Sequence, residues 1–285
     1  MTFAAMASTR REAIRGRRAG VLLTGSAVVI VLLTLVALFA PWLAPHDPNA
    51  GDVLAGFAPP SLEHPLGTDA AGRDILSRLI VGSRSSLLGG LLVMLLAGTL
   101  GSVLGMLSAW KGGWFDAVLS SALAIVFAFP GAVIALIVVS LFGPSLAVAV
   151  ITIAVSMAPA LARVVRSEAL RQKSMPYMRS AWLQGMRGSA IGFRHLVPNV
   201  SPIIVAQLAT IFGYAMLGIA TLSFLGLGVR PPDADWGVMI ADGKSAVLQG
   251  HPAESLWPGV LLIIAVMAFT TFADSYTARI EERTR

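Results

Sequence analysis

The triplet Gly243-Lys244-Ser245 ends the way a phosphate-binding loop ends, with a lysine and a hydroxyl placed to hold phosphate oxygens and a metal ion. The glycine before it, Gly237, stands one position too far away for G-x-x-x-x-G-K-[ST], so no nucleotide site is expected in this chain. The four histidines, His46, His64, His195 and His251, lack metal-ligand spacing, and no elbow motif brings a serine to a histidine and an acid. Cysteine is absent, which excludes disulfides, thiolate metal sites and cysteine nucleophiles. No catalytic, cofactor or metal residue is therefore assigned, and any energy source must be borrowed.

The chemistry that remains is docking, and it concentrates in residues 163–198. This stretch carries seven basic side chains and one acid, Glu168, between long apolar runs. Within it SMPYMRSAWLQG predicts a short amphipathic helix: Ser174 can cap it, Pro176 suits its first turn, and Gly185 can supply a left-handed stop. Its apolar face would carry Tyr177, Met178, Ala181 and Trp182. A second short helix is expected to begin with Ser189 as its cap and to stop before Pro198, whose ring bars continuation. A basic surface that only enforces topology would need neither the caps nor the amphipathic face.

The elements that must position this loop are membrane spans. The chain has 285 residues, 56% of them hydrophobic and 13% charged, more apolar surface than a soluble fold of this size buries. Six apolar stretches long enough to span a bilayer are expected at 21–43, 86–109, 116–142, 145–162, 199–227 and 258–278. The first follows five arginines in a basic segment, 1–20, and is too long for a signal peptide, so it is read as an uncleaved span. With both termini cytoplasmic, sixteen of the twenty-one Lys and Arg fall inside, as the positive-inside rule asks, and nine of the fifteen acids fall outside. The net charge of +6 is thus topology, and it gives no reason to invoke nucleic acid. The fold class is all-α and polytopic, with an external segment at 44–85, a membrane core over 86–278, an external loop at 228–257 and a cytoplasmic tail at 279–285.

The outer segments are structured too. In HPLGTDAAGRDILSRL, Thr68 or Asp69 can cap a helix bearing Ile75, Leu79 and Ile80, and the outer arginines Arg73, Arg78 and Arg84 must be compensated, by Asp69 and Asp74 or by a partner. SFLGLGVRPPDADWGVM, from Ser223, combines turn glycines, a Pro231-Pro232 stop and an interfacial Trp236.

These blocks, with the loop ending RHLVPN, resemble the permease subunits of ATP-binding-cassette importers for dipeptides and oligopeptides, specifically the C-type member of a two-permease pair. The resemblance runs in the family's order along essentially the whole chain. It implies a type I importer (MetI-like) fold, a heterodimer with a homologous permease, two separate ATPase subunits that bind the ATP and magnesium, an external substrate-binding protein and a lipid surround. It also implies that the 163–198 loop is the coupling segment, consensus E-A-A-x3-G-x9-I-x-L-P, seated in a cleft of the ATPase. Ala181, Gly185 and Pro198 match it; Arg179 stands where the glutamate is usual, followed by Ser180, and His195 and Val197 replace the isoleucine and leucine. With Met186 these complete the expected docking set. The third span has Ser121 and Ala124 where such permeases often carry an arginine and an aspartate, and losing both avoids a lone buried charge.

Asp69, Arg73, Asp74, Arg78, Arg230, Asp233 and Trp236 are the candidates for binding-protein contact. Gln207, Thr210, Tyr214 and Ser223 on the fifth span are the candidates for the path, with the first three near one helix face. Relatives with similar blocks carry dipeptides, longer peptides, glutathione, nickel complexes or haem. A secondary transporter would show ionisable residues within the membrane, and the span centres here are nearly free of them.

Overall fold

The computed structural model describes residues 2–284, with side chains described at residues 20–276 and at Ala278. The arginines of segment 1–20 and the charged groups of the tail 279–285 lie outside the described side chains. The described chain is helical apart from turns and two isolated bridges, Gly51 with Arg73 and Thr68 with Asp74. Five helices are long and apolar enough to cross a membrane, and a bent pair makes a sixth when taken as one span.

The first span is α1 (Thr2–Leu38), broken at Phe39 before a short α2 (Ala40–Leu43) with proline in its first turn. The centre of the bundle is α3 (Ile75–Lys111), 37 residues without a break. Such a helix is about 55 Å long, far beyond the ~30 Å of a bilayer's hydrocarbon core. Sequence reasoning separated a short outer helix from a span starting at residue 86; the structure fuses them. It also moves the cap: Thr68 and Asp69 lie in the preceding loop, and Asp74 begins the helix by accepting the Ser77 N–H at 2.8 Å.

The third span is two helices, α4 (Gly113–Ala128) and α5 (Gly131–Phe142), meeting at 85°. The expected kink at Pro130 is a full break there, because proline cannot donate to the preceding turn and forces Phe129 into an extended conformation. The fourth span, α6 (Leu146–Lys173), is capped by Ser145 and runs on past residue 162, its expected end. Beyond it come α7 (Pro176–Leu183), α8 (Gly188–Ile191), a π turn over Gly192–Leu196, and α9 (Val197–Phe224). The helix does not stop before Pro198. The π turn lets Val197 N–H reach back to Gly192 C=O, so the proline enters without breaking the path. At Pro202, the Pro198 carbonyl that proline leaves without its helical donor accepts the Ser201 hydroxyl at 2.9 Å. The chain closes with α10 (Trp236–Asp242), α11 (Lys244–Leu248) and α12 (Ala253–Thr284).

Packing follows from small residues on α3, which lies against α6 and α9. A Cβ at Gly105 would fall 2.5 Å from the Ala162 carbonyl oxygen, and one at Gly101 would fall 2.8 Å from Leu161 Cβ. Gly89 and Gly90 meet Ile219 and Met216 of α9 in the same way. With no hydrophobic drive between helices in lipid, such close backbone approach supplies the van der Waals contact. By contrast α4 buries no residue fully, and Trp114, Val118, Ile125 and Phe127 are exposed along it.

Candidate coupling surface

The two ends of α3 carry the two structured regions. At the end near Lys111, the basic loop is rooted in the bundle by α6. Asp116 of α4 takes a two-nitrogen grip from Arg166 of α6 at 2.5 Å and also accepts the Ser108 hydroxyl of α3, so three helices are tied at one carboxylate. Lys173, last in α6, donates to the carbonyls of Ala109 and Trp110 at 2.7 and 3.3 Å, as a cation complements a helix C-terminus. Glu168 is held by Arg171 at 2.6 Å and by Gln172, whose side-chain oxygen accepts the Tyr177 hydroxyl at 2.7 Å. Burial, with the Glu168 carboxylate nearby, pushes the Tyr177 hydroxyl's pKa upward against the pull of Arg171.

From this root α7 projects as a knob. Met178 and Ala181 are buried in the main core with Val165, Ala169, Ile191 and Leu196, and Tyr177 packs at its edge. Gly185 ends the helix at φ +73°, with Met186 N–H bonding back to Ala181 C=O at 3.3 Å and Gly185 N–H to Trp182 C=O at 3.0 Å. That is the six-to-one, five-to-two pattern of a Schellman stop, and Met186 folds back on the core to complete it. Two expectations about caps are corrected. The N-cap of α7 is Met175, with no side-chain cap, because Ser174 is the last turn of α6 and its hydroxyl donates to Arg171 C=O. Ser189 lies inside α8, whose N-cap is Arg187.

The outer surface of the knob is Arg179, Ser180, Trp182, Leu183 and Gln184. Leu183 is 89% exposed and Trp182 53%, so Trp182 sits at the rim rather than on the buried face, stacked on Trp110 with ring centroids 6.4 Å apart. His195 lies beside Tyr177, and Pro198 is exposed at the head of α9. A large apolar side chain held out on a rigid, basic surface is an anchor waiting for a pocket.

The end near Ile75 is built the other way. Asp69 accepts the N–H groups of Ala71 and Arg73, takes the Arg73 guanidinium at 2.5 Å and lies 3.6 Å from Arg78 Nε. Arg78 has no exposed surface and donates to the carbonyls of Pro48 and Pro232. Asp242, at the end of α10, lies 3.6 and 3.9 Å from the two guanidinium groups, and the buried Glu254 of α12 feels the same charges. Gly72 makes the turn possible, since at φ +74° any Cβ would fall on the Asp52 carbonyl. Asp74 does not pair with an arginine as expected; it caps α3 and faces His64 and His46. Trp236 is fully buried and donates from Nε1 to Leu79 C=O at 3.1 Å. Its neighbour Asp235 caps α10 through Gly237 N–H and accepts the Ser86 hydroxyl; burial pushes its carboxyl pKa upward against those bonds.

Asp69, Asp74, Arg78 and Trp236 are therefore interior, closed to direct contact with another protein. Arg73 is largely covered, while Arg230 and Asp233 are exposed on the loop before α10. On α9, Thr210 and Tyr214 are open and Gln207 is half-buried, on a stripe continued by Leu217 and Thr221. Ser223 is buried beneath the 226–237 turn, so it does not line that stripe. Sequence reasoning missed Asp242 and Glu254 as partners of the arginines; the excess of acids in the segments at this end was the available signal.

Residues 101–285 match the family described as the binding-protein-dependent transport system inner membrane component. The chain belongs to that family. Residues 22–60 also match the N-terminal transmembrane domain of oligopeptide transport permease C. The chain is 39% identical over 253 residues to a probable D,D-dipeptide transport system permease protein of Escherichia coli, covering 87% of this chain and 83% of the relative. It is 35% identical over 267 residues to a dipeptide transport system permease of Alkalihalophilus pseudofirmus, covering 93% and 86%. A glutathione transport system permease of Pectobacterium atrosepticum is 35% identical over 246 residues, covering 86% and 81%. This is a multi-pass membrane protein and a permease, not an enzyme.

Proposed function

We propose that this chain is one of two permease subunits of an ATP-driven importer for dipeptides and oligopeptides, with the 174–187 knob as its coupling element. The observation that carries the reading is the knob: it is anchored by Met178 and Ala181, stopped by Gly185, and presents Arg179, Trp182 and Leu183 outward. Such a body moves as a unit, so force on its outer face reaches α6 and α9 through their packing. Two partner ATPases bind ATP and magnesium and grip the two permeases' knobs. Closing them shifts the paired bundles between inward-facing and outward-facing arrangements, a population shift of a bistable assembly. Both termini and the 163–198 loop are cytoplasmic in this reading, and the end bearing residues 44–74 and 228–252 faces outward. Arg230 and Asp233 meet an external binding protein there. The stripe of Gln207, Thr210 and Tyr214 lines the path against the homologous permease; amide and hydroxyl groups suit a peptide backbone without choosing its side chains. Arg179, where the family's loops carry glutamate, calls for an acidic complement on the ATPase.

Relatives named for D,D-dipeptides, dipeptides and glutathione support substrates rich in amide and carboxylate groups. The test is purification of the assembled complex. The expected result is co-isolation of a second permease and ATPase subunits, with ATP hydrolysis stimulated by peptide-loaded binding protein and none by this chain alone. In intact cells a Cys at Asp233 should react with an impermeant maleimide and one at Ser189 should not. Hydrolysis by the isolated chain, or the reversed labelling pattern, overturns the proposal.

A further inference from the structure

His46, His64 and Asp74 lie between α2 and the start of α3, and their spacing gives no metal signature. The fold brings one ligand atom of each within 4.8 Å of the others. His64 Nδ1 lies 3.1 Å from one Asp74 oxygen and His46 Nδ1 lies 3.8 Å from the second. The two rings face each other with centroids 4.9 Å apart. Metal bonds of about 2.0–2.1 Å in a tetrahedron set donor atoms roughly 3.3 Å apart, so the three need only small adjustments to share one ion. A second observation points the same way: His46 Nδ1 is buried and has no hydrogen-bond partner. An orphaned imidazole nitrogen aimed at a carboxylate, beside a second imidazole, is costly unless something fills the angle between them.

We infer that His46, His64 and Asp74 form a binding site for a divalent transition-metal ion, zinc above all. Two neutral imidazoles and one carboxylate are borderline nitrogen and oxygen donors, the set that zinc accepts, and with water as a fourth ligand they complete its coordination. Binding replaces the hydrogen bond between His64 and Asp74 with two metal bonds, and the His64 proton is exchanged through solvent from Nδ1 to Nε2, so the imidazole stays neutral. Asp74 stays in place as a ligand because its second oxygen is fixed by the Ser77 N–H at 2.8 Å and hydroxyl at 2.6 Å. These outer bonds orient the carboxylate. The His46 backbone N–H, bonded to the Ser77 hydroxyl at 3.0 Å, fixes the other side. The ion would clip the chain leaving α2, the loop before Gly67 and the first turn of α3 into one piece, supporting the buried arginine cluster next to it.

The test uses the full chain in its detergent-solubilised complex, purified through a tag without histidine, stripped with chelator and titrated with zinc chloride. The wild type should hold one zinc per chain and show a raised thermal midpoint. His46→Ala removes a nitrogen that makes no hydrogen bond, so the metal-free midpoint should stay where it is while zinc affinity falls at least ~10-fold. Asp74→Asn keeps a good cap and should also lose the zinc shift, whereas His251→Ala should bind as the wild type does. Absence of bound zinc in the wild type, or equal zinc binding by the wild type and His46→Ala, overturns the inference.

Discussion

The two ends of α3 hold comparable numbers of charged groups and use them oppositely. Near Ile75 the charges turn inward: Asp69, Arg73, Arg78, Asp242 and Glu254 meet beneath a cover made by α10 and α12. Near Lys111 the ion pairs, Asp116 with Arg166 and Glu168 with Arg171, stand at the root of the loop, while Arg179, Arg187 and Arg194 point away from the bundle without an acid beside them among the described residues. The buried cluster is held by the attraction among its own charges, with Arg78 Nε and the Glu254 carboxylate lacking hydrogen bonds, and it fixes a shape. An exposed basic knob with Leu183 at its tip leaves its interactions to another molecule. Substitutions should therefore cost folding at the first end and coupling at the second.

The largest effect is expected at Arg78. Arg78→Ala empties a fully buried site, removes the bonds to the Pro48 and Pro232 carbonyls and leaves the buried Asp69 with Arg73 alone; breaking a buried ion pair costs about 3–5 kcal/mol and should show as loss of folded protein in membranes. Trp236→Ala empties a fully buried site and removes the bond to Leu79 C=O; about 3–5 kcal/mol is typical of such deletions, read as a lowered thermal midpoint of the complex. If either variant folds normally and loses only binding-protein stimulation, the contrast between the ends fails. Leu183→Ala sharpens it from the other side. An exposed substitution stays within about 0.5 kcal/mol in stability, yet this one should reduce binding-protein-stimulated ATP hydrolysis strongly. Smallest of all is Glu168→Gln, because the Arg171 end of the pair is exposed and glutamine keeps an acceptor for Arg171 and Gln172; a surface pair contributes roughly 0.2–1 kcal/mol, and the midpoint of the complex should move only marginally.

What was legible in the sequence follows the range of the forces involved. The spans were legible because twenty apolar residues in a row have one solution in lipid. The positions of Pro176 and Gly185 were legible because each acts through its own backbone. Pro198 misled because the π turn at Gly192–Leu196 spreads the proline's cost over neighbours that no local rule weighs. Thr68 and Asp69 are good cap types, and Asp74 won because Gly67 and Gly72 bend the chain first. Asp242 and Glu254 reach the arginines from α10 and α12, and His46 meets His64 through the folding of the loop between α2 and α3, contacts that spacing alone does not encode.

Gly185→Val separates a coupling knob from a loop that only sets topology. The residue has φ +73° and open space around it, so valine meets no neighbour and acts only through the backbone, at roughly 1–2 kcal/mol. The measurement is ATP hydrolysis by the reconstituted complex with and without loaded binding protein, beside a count of subunits retained on purification. The variant should insert and pair with its partner permease but lose the stimulated hydrolysis and peptide uptake. Unchanged stimulation and uptake would contradict coupling through the knob and leave the loop as a topological signal alone.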